Sequence, residues 1–357
     1  MKAPGIKDIA HELGISIGTV DRALHGRSDV SPKTRAKVLK KAEELGYRPN
    51  IAARSLKLNR RLRIGVFFPR EIASFFDPLR EGVRSAASSP NGLSIELVFR
   101  SFPRFDQGDM ELLSSNLKES FDGILVSPGN AEKVGPILTR YTRNGVAVVC
   151  VASDAPHSEH LASVTSDSQV SGAIAAELFS RTIQKPGSLA TITGELTTLD
   201  HAEKLRGFAA NLAVFAPHLS LLPAIETHEK TNLAHRQATA LLAKKPYPLG
   251  IYISTANSIP VLKAIEAKML FGEIQIITTD IFPELVPYIE SGKVLATLYQ
   301  RPFTQGRTAL ELLLRYLVDR VPPEALTRIA PHIILRSNVA LFASKPTEHL
   351  EGELQKA

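Results

Sequence analysis

The sequence predicts an α/β protein in which a small all-α headpiece precedes two doubly wound lobes, each built on a parallel β-sheet. Three observations favour this architecture. The chain has 357 residues, of which 44% are hydrophobic, and this is enough for more than one core. In the first 60 residues, apolar residues recur at helical spacing in three short stretches. Beyond them, apolar β-branched runs alternate with helical stretches.

The composition excludes several classes of protein. With 22% charged residues and no apolar run near the length of a membrane helix, we expect neither a disordered chain nor a membrane protein. The first residues lack the apolar core of a signal peptide, so we expect a cytoplasmic protein. Cys150 is the only cysteine, which rules out an internal disulfide and a cysteine-based zinc cluster.

Positive charge is concentrated at the N-terminus. Residues 1–63 contain 15 Lys and Arg against 6 Asp and Glu, a net charge of +9. Residues 64–357 contain 28 and 30, a net charge of −2. A basic segment joined to a nearly neutral body suggests a module that binds a polyanion, attached to a body that binds another ligand. A solvated basic surface is the alternative that charge alone leaves open.

Apolar residues recur at helical spacing in three stretches of the headpiece. They are Ile6, Ile9, Ala10 and Leu13 in the first stretch, Val20, Ala23 and Leu24 in the second, and Val38, Ala42 and Leu45 in the third. Gly14 suits the end of the first helix, Ser16 can cap the second, and Ser31-Pro32 can begin the third. The short turn between the first two helices predicts a helix-turn-helix, whose second helix would lie in a DNA major groove.

Five motifs of the headpiece resemble LacI/GalR-family transcriptional regulators. They are Ile6-Lys7-Asp8-Ile9-Ala10, Leu13-Gly14-Ile15-Ser16, Thr19-Val20, Val30-Ser31-Pro32-Lys33-Thr34-Arg35 and Leu45-Gly46-Tyr47-Arg48-Pro49-Asn50. The resemblance implies that double-stranded operator DNA is the partner. It also implies that residues 51–58 form a hinge helix that folds on DNA and inserts a leucine, here Leu56, into the minor groove.

DNA contacts are therefore expected on the second helix, at the start of the third helix and in the hinge. The expected residues are Ile17, Gly18, Thr19, Arg22, Ser31, Tyr47, Asn50, Ala53 and Leu56. Arg22 is the main candidate for base reading, because a guanidinium can donate two hydrogen bonds to guanine. A phosphate contact or a solvated surface charge for Arg22, and interdomain packing for Leu56, are the alternatives. Ile17 and Gly18 depart from the polar base readers common in the family, which leaves the operator sequence open.

The body contains eight apolar runs that predict strands. They are residues 62–68, 95–99, 123–126, 146–151, 189–193, 250–254, 274–278 and 294–298. Their alternation with helical stretches predicts parallel sheets covered on both faces. Because about 280 residues are many for one sheet, we expect two lobes with a ligand cleft at the carboxyl ends of the strands.

The body also resembles the periplasmic-binding-protein-like type I fold. The resemblance is carried by Gly65-Val66, Phe121-Asp122-Gly123-Ile124, Lys204-Leu205-Arg206-Gly207-Phe208, Thr278-Thr279-Asp280 and Leu335-Arg336-Ser337. We therefore divide the chain into four segments: a helix-turn-helix domain at 1–49, a hinge helix and linker at 50–61, an effector-binding and dimerisation domain at 62–343, and a polar tail at 344–357.

Side chains suited to a sugar or polyol recur at the expected strand ends. Carboxylates, amides and an arginine can satisfy hydroxyl groups, while aromatic rings cover apolar C–H surfaces. The candidate ligand contacts are Phe75, Phe76, Asp154, Arg206, Asn257, Asp280 and Gln300. Helix capping for Asp154 and Asn257, loop surface for Gln300 and core packing for the phenylalanines are the alternatives. A disaccharide, sugar acid or phosphorylated sugar would suit the same frame.

These features together predict a ligand-responsive transcriptional regulator, most readily a repressor of carbohydrate uptake or catabolism genes. Residues 62–345 contain none of the GxxxxGK[ST], HExxH, GxSxG or GxGxxG motifs, so we expect no enzyme activity, metal or cofactor. A transport solute-binding protein is the alternative, which the basic headpiece disfavours. The polar tail lacks a leucine heptad, so a homodimer suffices to read a pseudo-palindrome. Whether the effector is an inducer or a corepressor stays open.

Overall fold

The computed structural model describes residues 5–24, 30–45, 61–88 and 93–343. In the headpiece, the helices are α1 (Ile6–Leu13), α2 (Ile17–Leu24) and α3 (Pro32–Glu44). Gly14 ends α1 in the left-handed conformation with φ +62°. The hydroxyls of Ser16 and Ser31 accept the backbone N–H of Thr19 and Thr34 at 3.0 and 3.2 Å, so both predicted caps are confirmed.

The three headpiece helices enclose a small core. It consists of Ile9, Ala10, Val20, Ala23, Val38 and Ala42. Leu13, Leu24 and Leu45 pack against it and are partly buried. The inward faces predicted from helical spacing are therefore confirmed, and the opposite face of α2 remains available to a partner.

The first lobe is a six-stranded sheet with helices on both faces. Its elements in chain order are β1 (Leu62–Pro69), α4 (Ala73–Ala87), β2 (Ile95–Phe102), α5 (Asp109–Asn116), β3 (Gly123–Val126), α6 (Ala131–Arg143), β4 (Ala147–Val151) and β5 (Ala162–Ser166). The strand order is β12-β5-β4-β3-β1-β2, in which β12 (Leu326–Ile329) comes from late in the chain. All the pairs in this sheet are parallel, as predicted.

The second lobe contains a seven-stranded sheet. Its elements are α7 (Ser168–Thr182), β6 (Gly187–Thr193), α8 (Leu199–Phe215), β7 (Leu219–Leu221), β8 (Ile225–Glu226), α9 (Thr231–Leu241), β9 (Gly250–Ile253), α10 (Ile259–Ala267), β10 (Gln275–Thr279), α11 (Val286–Glu290), β11 (Ala296–Tyr299), β13 (His332–Ile334) and α13 (Val339–Ala343). The order is β13-β11-β10-β9-β6-β7, and β8 also pairs with β6. Only the β11–β13 pair is antiparallel among the described strands of this sheet, a departure from the predicted all-parallel pairing.

The chain crosses between the lobes three times, after β5, after β11 and after β12. The second crossing leads into α12 (Pro302–Asp319), whose Leu310 and Leu313 belong to the core of the first lobe. The crossings lie side by side: the N–H of Asp167 donates to the carbonyl of Ile329 at 3.0 Å, and Ser166 Oγ donates to Gln300 Oε1 at 3.2 Å. A change in the angle between the lobes must therefore alter the backbone conformation of these three segments.

Helices α4 and α12 meet at two glycines. A Cβ atom on Gly82 would lie 2.0 Å from the carbonyl oxygen of Phe303, and one on Gly306 would lie 2.1 Å from that of Leu79. These distances leave no space for a side chain, so the two backbones are in direct contact. No described helix is both long and apolar enough to span a membrane.

Replacing Gly82 with alanine should lower the free energy of unfolding by about 3 kcal/mol, because the new methyl group forces α4 away from α12. Gly135→Ala is the matched control, since a Cβ there would lie 3.8 Å from its nearest neighbour, an ordinary contact. The control should raise stability by about 0.5 to 1 kcal/mol through helix propensity. Urea unfolding measures both values, and equal effects of the two variants would contradict the direct backbone contact.

Candidate functional site

The headpiece presents the N-terminal half of α2 to solvent. Ile17 is 49% exposed, Gly18 is exposed and Thr19 is half-buried. The half-buried Arg22 extends back towards this end of the helix, where its Nη2 donates to Thr19 Oγ1 at 3.5 Å. A Cβ on Gly18 would lie 3.3 Å from Arg22 Nη1, so the glycine makes space for the guanidinium. The expected base-reading residues therefore lie together.

The remaining expected DNA contacts have different positions. Ser31 is exposed and its side chain caps α3. Tyr47, Asn50, Ala53 and Leu56 lie outside the described residues. Their DNA contacts, including the minor-groove insertion of Leu56, stay predictions.

A cavity lies between the two lobes and, with its mouth, holds about 420 Å³ of empty space. The first lobe lines it with Ile72, Phe75, Phe76, Phe105, Ala152 and Ser153. The second lobe lines it with Thr198, Asp200, His201, Lys204, Glu229, Thr255, Ala256, Asp280 and Gln300. Four of the seven sequence-predicted ligand residues, Phe75, Phe76, Asp280 and Gln300, therefore meet in one cavity between the lobes.

The wall from the first lobe is aromatic. The centroids of the Phe75 and Phe76 rings lie 5.0 Å apart in an edge-to-face arrangement, and those of Phe76 and Phe105 lie 5.8 Å apart. Phe75 and Phe76 are almost fully buried, because α4 begins directly after β1 and turns both rings inward. Aromatic rings held in this way can cover the apolar face of a sugar ring.

Helix α8 supplies charged groups to the opposite wall. Lys204 is 1% exposed, and its Nζ donates to Asp200 Oδ2 at 2.6 Å. Ser168 Oγ donates to Asp200 Oδ1 at 2.5 Å. Although burial raises the pKa of Asp200, the charges of Lys204 and His201 and these hydrogen bonds hold that pKa below its ordinary value. Asp200 is therefore ionised beside Lys204 inside the pocket.

Glu229 lies beside this pair on the segment after β8. Both of its carboxylate oxygens are 2.8 Å from Thr255 Oγ1, and Oε1 is 3.4 Å from His201 Nε2. His201 Nδ1 lies 3.0 Å from the backbone nitrogen of Glu195 and 3.1 Å from its carbonyl oxygen, and these contacts hold the ring beside Glu229. Burial raises the pKa of Glu229 above its ordinary value.

Asp280 forms the far end of the polar wall. Its two oxygens accept the backbone N–H of Gln300 at 3.0 Å and the Gln300 side-chain amide at 2.7 Å. Asp280 follows β10 with φ +63°, a left-handed conformation that is uncommon among residues other than glycine. Burial raises the pKa of Asp280 to about 6. A carboxyl poised near neutrality can accept a hydrogen bond from a ligand hydroxyl or donate one to it.

Arg206 was expected to contact ligand, but the structure does not place it in the cavity lining. It is exposed on α8, whereas Lys204, two residues earlier, is buried in the cavity wall. A helix turns by about 100° per residue, so residues two apart lie on nearly opposite faces. The Lys-Leu-Arg-Gly-Phe motif therefore contributes its lysine to the cavity and its arginine to the surface.

Asp154 does not line the cavity either. It lines a smaller neighbouring cavity, where its Oδ1 accepts Ser163 Oγ at 2.5 Å and the N–H of Ala155 at 2.7 Å. His160 Nε2 lies 3.1 Å away. Asp154 is thus engaged by the β4–β5 connection, because the chain turns away from the cavity after Ser153.

Asn257 is half-buried and also lies outside the cavity lining. Its backbone N–H donates to Thr255 Oγ1 at 3.2 Å, and Thr255 takes the place in the wall that was expected for Asn257. The turn after β9 directs residues 255 and 256 inward.

Sequence reasoning missed most polar residues of the cavity lining, among them Asp200, Lys204, Glu229 and Thr255. A signal for the first two is present, because their spacing of four places an opposite charge pair on one helix face. No comparable signal exists for Glu229, since β8 has only two residues.

Comparison with known proteins agrees with this two-part organisation. Residues 64–320 match the periplasmic binding protein domain, and residues 5–50 match bacterial regulatory proteins of the lacI family. The chain is 25% identical over 333 residues to catabolite control protein A of Priestia megaterium, covering 92% of this chain and 97% of that protein. It is 26% identical over 349 residues to the HTH-type transcriptional repressor PurR of Aliivibrio fischeri, covering 94% and 98%.

Solved structures share the fold of the body. A solute-binding protein from Burkholderia graminis in complex with D-arabinose superposes with a TM-score of 0.71 at 20% identity, covering 78% of this chain and 96% of that chain. The Caulobacter myo-inositol binding protein superposes with a TM-score of 0.70 at 19% identity, covering 78% and 95%.

Proposed function

This chain belongs to the periplasmic binding protein domain family through residues 64–320 and to the lacI family of bacterial regulatory proteins through residues 5–50, and we propose that it is a ligand-responsive transcriptional repressor. One observation carries the proposal: a helix-turn-helix with an exposed reading face is joined to a cavity with one aromatic and one hydrogen-bonding wall. The headpiece would bind operator DNA, and the cavity would bind a sugar or polyol effector.

The proposed operator is a pseudo-palindrome read by a homodimer in the cytoplasm, because one short helix contacts too few base pairs to select a site alone. Arg22 would read a base and the Ser31 end of α3 would contact the backbone. Tyr47, Asn50, Ala53 and Leu56 would extend the contact into the hinge. Genes for carbohydrate uptake or catabolism are the proposed targets.

Hydrogen bonds connect the cavity to the lobe crossings, which supports a route from ligand to DNA. Asp280 holds both the backbone and the side chain of Gln300, and Gln300 in turn accepts Ser166 Oγ from another crossing. A ligand that contacts Asp280 would therefore favour one arrangement of these segments over another. The proposed consequence is closure of the lobes and a shift in the position of the two hinges.

Operator titration tests this function. Full-length protein should bind palindromic DNA from upstream of its own or neighbouring genes, and affinity should fall about a thousandfold between 50 and 200 mM salt through counterion release. A panel of pentoses, hexoses and polyols should contain a compound that both raises the melting temperature and changes operator affinity. The direction of that change identifies an inducer or a corepressor. Stabilising compounds that leave operator affinity unchanged would contradict a regulatory role.

A further inference from the structure

We propose that the cavity selects a hydroxylated ligand that carries an ammonium group, such as an amino sugar or amino polyol, and that Glu229 is the residue that determines this selectivity. The inference rests on the proposed function, because it concerns the effector of the same pocket. It restricts the proposed sugar or polyol effector to compounds that carry a positive charge.

The charge balance of the cavity wall is the first argument. Among the described residues, the lining includes three carboxylates, Asp200, Glu229 and Asp280, but only one lysine and one histidine. Lys204 is already paired with Asp200 at 2.6 Å, although its charge also acts on Glu229 and Asp280. The phosphate of a sugar phosphate or the carboxylate of a sugar acid would enter an acidic cavity without an unengaged cationic partner. An ammonium group would instead reduce the excess negative charge.

The second argument is the way in which Glu229 is held in the wall. His228 and Glu229 both have left-handed backbones, with φ +47° and +54°. Two successive non-glycine residues in this conformation are unfavourable, and such strain is typical of functional positions. Gly194 provides the space, since a Cβ there would lie 1.9 Å from Glu229 Oε1 and 2.4 Å from His201 Cε1. The Glu229 carboxylate therefore reaches the cavity through an unfavourable backbone conformation and through the space left by the missing side chain of Gly194.

The third argument is that the aromatic wall faces these acidic groups across the same cavity. Phe75, Phe76 and Phe105 offer ring faces and edges, and an ammonium group is attracted to the face of an aromatic ring. Carboxylates on one side and rings on the other are a combination suited to an ammonium group attached to an apolar carbon frame. A neutral sugar would use the rings but would leave the excess charge uncompensated.

Burial supports the same assignment. It raises the pKa of Glu229 and raises that of Asp280 to about 6, so it costs free energy to hold these two carboxylates ionised in the empty cavity. The charged groups that act on both are Asp200 and Lys204, and His201 acts on Glu229. Glu229 also borders a neighbouring cavity whose charged residues are Glu71, Arg104, Lys230 and Arg236. A bound ammonium group would stabilise the ionised carboxylates, whereas a neutral ligand would not.

Calorimetry with matched sugar pairs tests the inference at pH 7. The probes are D-glucose with D-glucosamine, D-galactose with D-galactosamine, D-mannose with D-mannosamine, and D-glucose 6-phosphate. In at least one pair the amino member should bind at least tenfold more tightly than its neutral partner, and the phosphate should not bind. Glu229→Gln should remove most of that preference and change the affinity of the neutral partner less than threefold.

Glu203→Gln is the control, because Glu203 carries the same charge on α8 but lines only the neighbouring cavity. It should keep the preference for the amino member, and the melting temperature of each free variant verifies folding. If neutral sugars bind as tightly as their amino partners, or more tightly, the inference is wrong and the sensor function stands. If the sugar phosphate binds best, the charge argument is wrong. If no probe binds and none alters operator affinity, both proposals are contradicted.

Discussion

Removal of residues 1–60 should abolish operator binding and leave effector binding intact. The deleted segment carries nearly all the excess positive charge, and the remaining body has a net charge close to zero. Its loss removes both the phosphate contacts and the reading helix α2. Operator affinity should therefore fall by at least about 10³-fold, to the level of nonspecific binding or below.

The remaining body should fold, because each lobe has its own buried clusters and the helices of the headpiece form a separate core. Fluorescence anisotropy with labelled operator DNA measures the loss, and calorimetry with the effector measures what is retained. Scrambled DNA of the same length serves as the control. A truncated protein that still binds the operator with the salt dependence of the full chain would contradict the division of labour.

Asp280→Asn should weaken effector binding by about 10- to 150-fold. The substitution replaces a buried charged acceptor with a neutral amide of the same shape, and a hydrogen bond to a charged group contributes about 1.5 to 3 kcal/mol. Arg206→Ala is the control, since the structure places Arg206 on the exposed face of α8. Calorimetry should show unchanged affinity for the control. Equal losses in both variants would contradict the position of the proposed site.

The same substitution should not destabilise the free protein. In the unmodified protein the Ser166 hydroxyl donates to the Gln300 side chain. If the side-chain amide of Gln300 reverses in the variant, the Gln300 oxygen can accept the introduced NH₂ group, and the Gln300 NH₂ group can donate to the Ser166 hydroxyl. The Ser166 hydroxyl then accepts from Gln300 instead of donating to it, so the three side chains keep the same number of hydrogen bonds. This argument separates a loss of affinity caused by the missing carboxylate from one caused by unfolding.

The pH dependence of stability provides an independent check. The folded pKa of Asp280 is about 6, above the ordinary value of 3.8. Its contribution to the free energy of unfolding is therefore fully present below pH 4 and is lost as the pH rises through 6. Between pH 4 and 8, the titration of Asp280 should lower the free energy of unfolding by at most about 3 kcal/mol, and Asp280→Asn should abolish this decrease. Identical pH profiles for the two proteins would show that Asp280 does not titrate in this range.

The sequence predicted the architecture well where apolar residues form uninterrupted buried strands. All eight predicted runs became strands, with ends shifted by at most three residues. The strands that were missed, β5, β7, β8, β12 and β13, are short or lie at sheet edges and contain polar residues. In such strands pairing with a distant segment decides the conformation, and local pattern carries little of that information.

Prediction of the cavity succeeded and failed for identifiable reasons. Asp280 and Gln300 were found because the carboxyl ends of parallel strands converge at one edge of the sheet. Arg206 was assigned to the cavity because the motif predicts a helix but does not predict which face of that helix is buried. Lys204, two residues earlier, lies on the buried face, whereas Arg206 lies on the exposed face. Glu229 was missed because its inward position depends on left-handed backbone and on the space at Gly194, neither of which is visible in the local sequence.

The unequal chemistry of the two cavity walls has a kinetic consequence. In the proposed site, nearly all directional contacts belong to the second lobe, whereas the first lobe contributes mainly Phe75, Phe76, Phe105 and Ile72. Contacts with the second lobe alone would orient an arriving effector, and the association rate would depend on the charges of that lobe. The aromatic wall would then act as a cover that slows escape, so the residence time would depend on the first lobe. Selectivity and signal duration could thus change independently during evolution, through substitutions in different halves of the cavity.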